Sequence, residues 1–372
     1  MAKTRILFLI PNLMHGGAEK VLVNLVNNLD SEKFDITLQT VFDVGVHKKS
    51  VSPHVKYKSV FKRMFRGNSV IMKLFSPKML YNLFVKEKYD IAVAYLEGPA
   101  ARIISGCNDK DTKKICVIHT EQKTSIGFKS PDEARACYDA FDTIVFVSET
   151  VKDTFVKSMN VTKPSLTVKY NVNEVEQILE SSKQSVDDVK FEENSVNLIS
   201  TGKIIKVKGF DRLARVHKRL IDEGKKHNIY ILGVGEEQEN IQKYISENSL
   251  DNSFKFLGYR DNPYKYVAKA DAYVCSSYKE GFSTAVTEAL VVGTPVVTTL
   301  CSGMEELLGK NDEYGLIVEN SEDGLYSGMK KMIESAQLRA HYAQKVKERA
   351  KVFSKENTVR AYEKLFEELV KQ

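Results

Sequence analysis

The segment DAYVCSSYKEGFSTAVTEALVVGTPVVTT, residues 271–299, decides the architecture, because it holds a whole strand–turn–helix–strand unit. An apolar run ends in two serines, YKEG turns the chain, and FSTAVTEALVV has the length of a helix. Gly293 stops that helix before a second apolar run, PVVTT. Short apolar strands joined through a helix pair in parallel, so the segment specifies an α/β sheet. Two carboxylates, Glu280 on the turn and Glu288 in the helix, stand eight residues apart among apolar or small neighbours. Carboxylates in such surroundings need partners. At 1.5 Å per residue, Glu288 falls roughly 7 Å down the axis from the first turn. A diphosphate resting on the helix N-terminus would then have one carboxylate towards each end, each able to accept hydrogen bonds from sugar hydroxyls. A helix-start charge for Glu280 and a buried salt bridge for Glu288 are the plainer alternatives.

The same alternation runs outward from this segment. VNLISTG, NIYILGVG and FKFLGY precede it and GLIVE follows, with helical patterns between several of them. An earlier series comprises RILFLIP, FDITLQTV, DIAVAYL, KKICVIHT, TIVFVSE and LTVKYN. The run 172–194 separating the two series is polar and charged, which reads as a linker. Two successive β/α series predict two parallel-sheet domains, 1–170 and 195–352, joined by 171–194. Ligands of open α/β sheets bind outside the carboxyl ends of the strands, and three further loops have that placement. PNLMHGGAEK carries Gly16-Gly17 between a strand and a helix. Taken alone, it fits a phosphate-approaching turn and a tight connection equally. STGKIIKVKGFDRL sets Lys203 and Lys208 around a loop entering a helix, a site for a diphosphate or simply two surface lysines. ILGVGEEQENI has Gly233 and Gly235 without a third glycine, so a dinucleotide fingerprint is absent.

Composition sets bounds on these readings. The chain has 372 residues, 42% hydrophobic and 28% charged, as ordinary globular proteins do. Its five cysteines form no CxxC pair and sit mostly in apolar runs, which argues for reduced thiols, no zinc site and a cytoplasmic setting. The N-terminal apolar run breaks at Pro11-Asn12, too early for a signal core or a spanning helix. Formal charge is +6 overall, and much of the excess lies in residues 56–88, where nine Lys/Arg face one Glu. Phe61, Met64, Phe65, Ile71, Met72, Leu74 and Phe75 are interleaved with that charge. Such a stretch suits an anionic membrane surface or an ordinary solvated face; no nucleic-acid motif accompanies it.

Together these residues resemble the retaining GT-B glycosyltransferases of glycosyltransferase family 4. EGFSTAVTEALVVGTPVV resembles the family's pair of glutamates separated by seven residues, and TGKIIKVKGFDRL its lysine-bearing phosphate segment. PNLMHGGAEKVLVNL resembles its N-terminal glycine loop, and FLGYRDNPYKYVAKADAYVCSS its base-binding strand and following helix. The family's usual arginine is Lys203 here, which keeps the charge and loses the forked contact.

The resemblance implies an α/β GT-B fold: two Rossmann-like parallel-sheet domains facing across a cleft, the first binding an acceptor and the second a nucleotide sugar. It also implies a last helix, 353–372, returning to the first domain. By analogy Glu288 binds the ribose, Glu280 the donor sugar, Lys203 and Lys208 the diphosphate, and the backbone at Tyr259 and Arg260 the base. Gly281, Phe282, Ser283 and Thr284 line the donor between the glutamates, Gly16 and Gly17 approach it from the first domain, and His119 takes the position beside the donor sugar. Lys208, Glu280 and His119 are thus the expected catalytic residues. With no DxD pair in these loops to suggest a metal, lysines and a helix dipole would do what a divalent ion does elsewhere, so no metal and no cofactor are expected. The implied reaction transfers a sugar, with its anomeric configuration retained, from a nucleotide diphosphate such as a UDP-sugar. The expected acceptor is a saccharide, lipid-linked, in surface polysaccharide or glycan assembly. A non-hydrolysing epimerase and a non-catalytic subunit of the same fold are the alternatives.

Overall fold

Short strands of almost unbroken apolar sequence form both sheets, as strands covered on two faces require. In the first, Ile6 through Ile10 are fully buried. The structure, a computed structural model, describes residues 2–14, 16–120 and 127–371. The chain divides into two compact units, Met1–Asn173 with Lys355–Gln372, and Glu174–Ser354.

The first unit runs β1 (Thr4–Ile10), α1 (Gly17–Asn28), β2 (Phe34–Phe42), β3 (Lys56–Phe61), α2 (Asn68–Leu74), α3 (Pro77–Phe84) and β4 (Ile91–Ala94). It continues α4 (Pro99–Ile104), β5 (Lys113–Ile118), α5 (Pro131–Tyr138), β6 (Thr143–Phe146), α6 (Glu149–Met159) and β7 (Ser165–Val168). Among the described residues its sheet has seven parallel strands in the order β3-β2-β1-β4-β5-β6-β7. The order reverses between β1 and β4, where Ile6 stands beside Ile91. The C-terminal helix Lys355–Val370 belongs to this unit and sets Phe366 edge-on to Phe8 and Phe34, with ring centroids 6.0 Å away in both cases.

The second unit runs α7 (Val175–Ser182), β8 (Val196–Thr201), α8 (Phe210–Asp222), β9 (His227–Leu232), α9 (Gln238–Glu247), β10 (Phe254–Gly258) and α10 (Tyr264–Lys269). Then follow β11 (Ala272–Cys275), α11 (Thr284–Val292), β12 (Val296–Thr299), α12 (Met304–Leu308), β13 (Leu316–Val318), α13 (Glu322–Glu334) and α14 (Ala336–Ala350). Its six parallel strands have the order β10-β9-β8-β11-β12-β13, so the reversal falls between β8 and β11. Leu213, Val216 and Leu220 of α8 close one core with Leu198, Ile229 and Ile231 of the sheet. Each unit is therefore a Rossmann-like parallel sheet with helices, the fold class expected from the two β/α series.

Two stretches differ in detail from their sequence reading. The run taken for a linker holds α7, which packs on α10 and α11, and Asp188 accepts the Tyr266 hydroxyl at 2.8 Å. Residues 174–194 are thus built into the second unit. The basic run opens with β3, an edge strand, where Phe61 stacks on Phe42 at 5.8 Å and the Tyr57 hydroxyl donates to Asp43. Lysines on an edge strand block pairing with another chain, and they also disguise the strand in the sequence. Met72, Leu80 and Phe84 are buried, while Met64, Phe65, Leu74, Met79 and Leu83 are exposed.

Candidate active site

In a doubly wound sheet the crevice for a ligand opens where the strand order reverses. In the second unit that point lies between the loops leaving β8 and β11, and most of the expected donor residues stand there. Glycines let these loops meet backbone to backbone. A Cβ on Gly209, at φ +65°, would lie 2.0 Å from the Ser276 carbonyl oxygen, so only glycine lets the start of α8 press against the end of β11. Gly233 meets the Gly202 carbonyl in the same way. The glycine pair after β9 thus serves loop-on-loop packing, with Gly235 meeting the Ile204 carbonyl.

Lys208 ends a short 3-10 turn, and its ammonium donates to both Glu280 oxygens, at 2.7 and 2.9 Å. The Glu280 side chain is only 10% exposed, and the Ser277 hydroxyl donates to the same carboxylate at 2.5 Å. Burial pulls the Lys208 pKa down, but the charge and hydrogen bonds of Glu280 outweigh it and hold the ammonium above its ordinary value. Lys203 is exposed and its ammonium has no partner among the described residues. Lys208 is not a free surface lysine: it is half-buried and tied to Glu280, so the two residues form one charge-paired unit.

Ser283 caps α11, its hydroxyl accepting the Val286 amide at 3.3 Å, and Gly293 in the left-handed region closes the helix. Gly281 and Phe282 are buried in the turn, leaving Thr284 half-exposed at the first helical position. The first-turn amides and the dipole of α11 make this end favourable for an anion. One turn further, Glu288 is half-buried, and the Tyr264 hydroxyl of α10 approaches it at 3.5 Å. At the end of β10, Gly258 at φ +71° turns the chain and leaves Tyr259 49% exposed. The Arg260 guanidinium bonds Tyr266 and pairs with Asp188 at 3.2 Å, so its side chain is already engaged.

In the first unit the reversal point lies between β1 and β4. Gly16 caps α1 and Gly17 opens it, and a Cβ on Gly16 would strike the Glu19 carboxylate at 1.9 Å. His119 follows β5 and is 7% exposed, its ring 5.0 Å from that of Tyr95. Burial lowers its pKa to about 3, so the imidazole is neutral, and Nε2 has no hydrogen-bond partner among the described residues. Sequence reasoning missed Glu97, just beyond β4, which accepts the His119 amide at 2.9 Å and the Thr120 hydroxyl. Burial raises the Glu97 pKa against those hydrogen bonds. A carboxylate beside glycine directly after an apolar strand, AYLEG, was the available signal. Among the described residues no group of three His, Cys, Asp or Glu gathers as metal ligands.

Comparison with known proteins places the chain in a family. The family model described as glycosyl transferases group 1 matches residues 181–349, and that of glycosyltransferase family 4 matches residues 15–175. The chain is 32% identical over 220 residues to the N-acetylgalactosamine-N,N'-diacetylbacillosaminyl-diphospho-undecaprenol 4-alpha-N-acetylgalactosaminyltransferase of Campylobacter jejuni, covering 59% of this chain and 58% of that one. It is 28% identical over 149 residues to the lipopolysaccharide core biosynthesis glycosyltransferase LpsE of Rhizobium meliloti, covering 40% and 42%. The matched stretches thus span less than two thirds of these relatives' own length. Among solved structures, Anabaena HepE in complex with UDP and glucose superposes with a TM-score of 0.78 at 17% identity, over 98% of this chain and 100% of that one. Sucrose-phosphate synthase from Thermosynechococcus elongatus gives 0.80 at 14% identity, over 99% of each chain. These structural likenesses place the fold as GT-B.

Proposed function

The chain belongs to the glycosyltransferases of family 4, and from that premise we propose that it transfers a sugar, with retention, from a UDP-sugar to a lipid-linked saccharide. One observation carries the reading: the Lys208–Glu280 pair stands at the reversal point of the second sheet, beside the N-terminus of α11. A departing nucleoside diphosphate gains negative charge, and fixed cations stabilise it most as that charge develops. Lys208 and Lys203 supply the cations, and the first turn of α11 supplies amides. Glu288 takes the ribose hydroxyls and Glu280 those of the donor sugar, while Lys208 keeps Glu280 oriented. With Glu280 occupied as a hydrogen-bond acceptor, the leaving phosphate receives the acceptor's proton and the new bond forms on the same face. No divalent ion enters this scheme.

UDP as carrier draws support from the solved HepE complexes, and a lipid-linked acceptor from the name of the Campylobacter jejuni relative. The surface around α2 and α3 fits such an acceptor. Lys62, Arg63, Arg66 and Lys78 are exposed beside Met64, Phe65, Leu74, Met79 and Leu83, a set suited to peripheral contact with anionic lipid. No helix among the described residues is long and apolar enough to cross a membrane. The test is incubation with a panel of nucleotide sugars and undecaprenyl-diphosphate-linked acceptors, following nucleoside diphosphate release and the anomeric configuration of the product by NMR. Retained configuration with a UDP-sugar is expected; no release from any donor, or an inverted product, would refute the reading.

A further inference from the structure

Arg212, in the first turn of α8, is 2% exposed, yet among the described residues its guanidinium bonds only uncharged acceptors. Nε donates to the Ser276 carbonyl at 2.7 Å, and Nη2 to the Ser277 carbonyl at 2.6 Å and the Thr299 hydroxyl at 3.1 Å. The Tyr278 ring covers the guanidinium at 4.1 Å. Burying a cation without a bonded carboxylate is unfavourable, and an apolar side chain of similar volume would fill the same space. The reason for a cation here lies in what those two carbonyls belong to. The Ser276 hydroxyl donates to the Lys208 carbonyl at 3.0 Å, and the Ser277 hydroxyl donates to Glu280 at 2.5 Å. Thr299, at the end of β12, donates to the Ser277 carbonyl at 2.7 Å and completes the frame. The two serines gripped by Arg212 through their main chain are thus the two that hold Lys208 and Glu280 through their side chains.

We propose that Arg212 is a positioning residue for the Lys208–Glu280 pair, locking the turn after β11 so that both partners are held in one geometry. The inference rests on the transferase reading above and adds a residue that touches neither donor nor acceptor. A planar fork reaches two successive carbonyls at once, which a single ammonium does not. Small displacements of a charged group at the reacting centre reduce turnover more than they reduce binding of the spectator nucleotide.

The test uses full-length Arg212→Lys and Arg212→Met, measuring melting temperature, UDP affinity by calorimetry, and kcat with the UDP-sugar that the wild type turns over fastest. In both variants kcat is expected to fall at least tenfold while UDP affinity changes less than threefold, and lysine is expected not to rescue. In a Glu280→Gln background the same substitution should cost less than threefold, because the group it positions is already altered. If Arg212→Met does not fold, the cycle is run with Arg212→Lys. Wild-type kcat in Arg212→Lys, parallel losses of UDP affinity and kcat, or equal losses in both backgrounds would overturn the inference while leaving the transferase reading standing. Absence of wild-type turnover would instead overturn that reading.

Discussion

Lys208 and Glu280, 72 residues apart in sequence, bind each other through both carboxylate oxygens, so neither acts as an isolated charge. Removing either side chain therefore does two things: it takes a group from the candidate donor site and leaves a shielded partner without its counter-charge.

Lys208→Ala should lower turnover about a hundredfold, the loss typical of one charge-stabilising donor. It should also destabilise the second unit by about 1–3 kcal/mol, because Glu280 loses its main hydrogen-bond donor in a site that is mostly shielded. Activity and thermal melting measured on the same preparation check both parts. Turnover near the wild-type rate would remove Lys208 from the diphosphate site.

The two glutamates should separate in calorimetry with UDP alone. Glu288→Ala is expected to weaken UDP binding about tenfold, the effect of one lost charge-assisted hydrogen bond. Glu280→Gln should leave UDP binding within threefold and reduce turnover of the full donor. Equal losses of UDP affinity would end this division of roles.

A buried histidine pair makes the second unit sensitive to acid. His217 Nδ1 lies 2.8 Å from His227 Nε2, and His217 Nε2 lies 2.9 Å from the Ser253 hydroxyl. Burial lowers both pKa values, that of His217 to about 3, with His227 adding to the shift. A folded pKa below the unfolded value of about 6.5 means the unfolded chain binds more protons at intermediate pH. The stabilisation is present above about pH 6.5 and is lost as pH falls towards 3. Melting temperature should therefore drop through that window, and the His217→Gln/His227→Gln variant should show a shallower drop. Identical slopes would exclude the pair as a source.

Activity should persist in excess EDTA if lysines and the α11 N-terminus replace a divalent ion. Loss of turnover that Mg²⁺ or Mn²⁺ restores would contradict the site as drawn.

Sedimentation with anionic vesicles at low salt should retain the protein, and high salt or neutral vesicles should release it. The Lys62→Gln/Arg63→Gln/Arg66→Gln variant should bind more weakly. Equal binding to both vesicle types would leave this face as solvated surface.

Much of the architecture was legible locally. Parallel strands covered on both faces must be apolar along their whole length, so RILFLI, NIYIL and AYVC announce themselves without reference to partners. The α11 segment was equally plain, since a turn, helical length and a glycine stop act within one stretch of chain, although the Ser283 cap appeared only in the structure. β3 was not, because an edge strand carries lysines that interrupt the apolar signal. Nor was α7, whose polarity reflects one solvated face while the other packs on α10 and α11.

The amino-acid sequence by itself determined which residue types stand at the strand ends: glycines where loops must touch, lysines and carboxylates where charge is handled. Only the tertiary structure decided their pairing. Lys208 meets Glu280, Arg212 grips Ser276 and Ser277, and Glu97 holds the His119 amide because parallel strands far apart in sequence end side by side. The reason is physical. Periodicity and capping depend on neighbours within a few residues, whereas a buried charge takes its partner from whichever strand end the sheet order brings within hydrogen-bond distance.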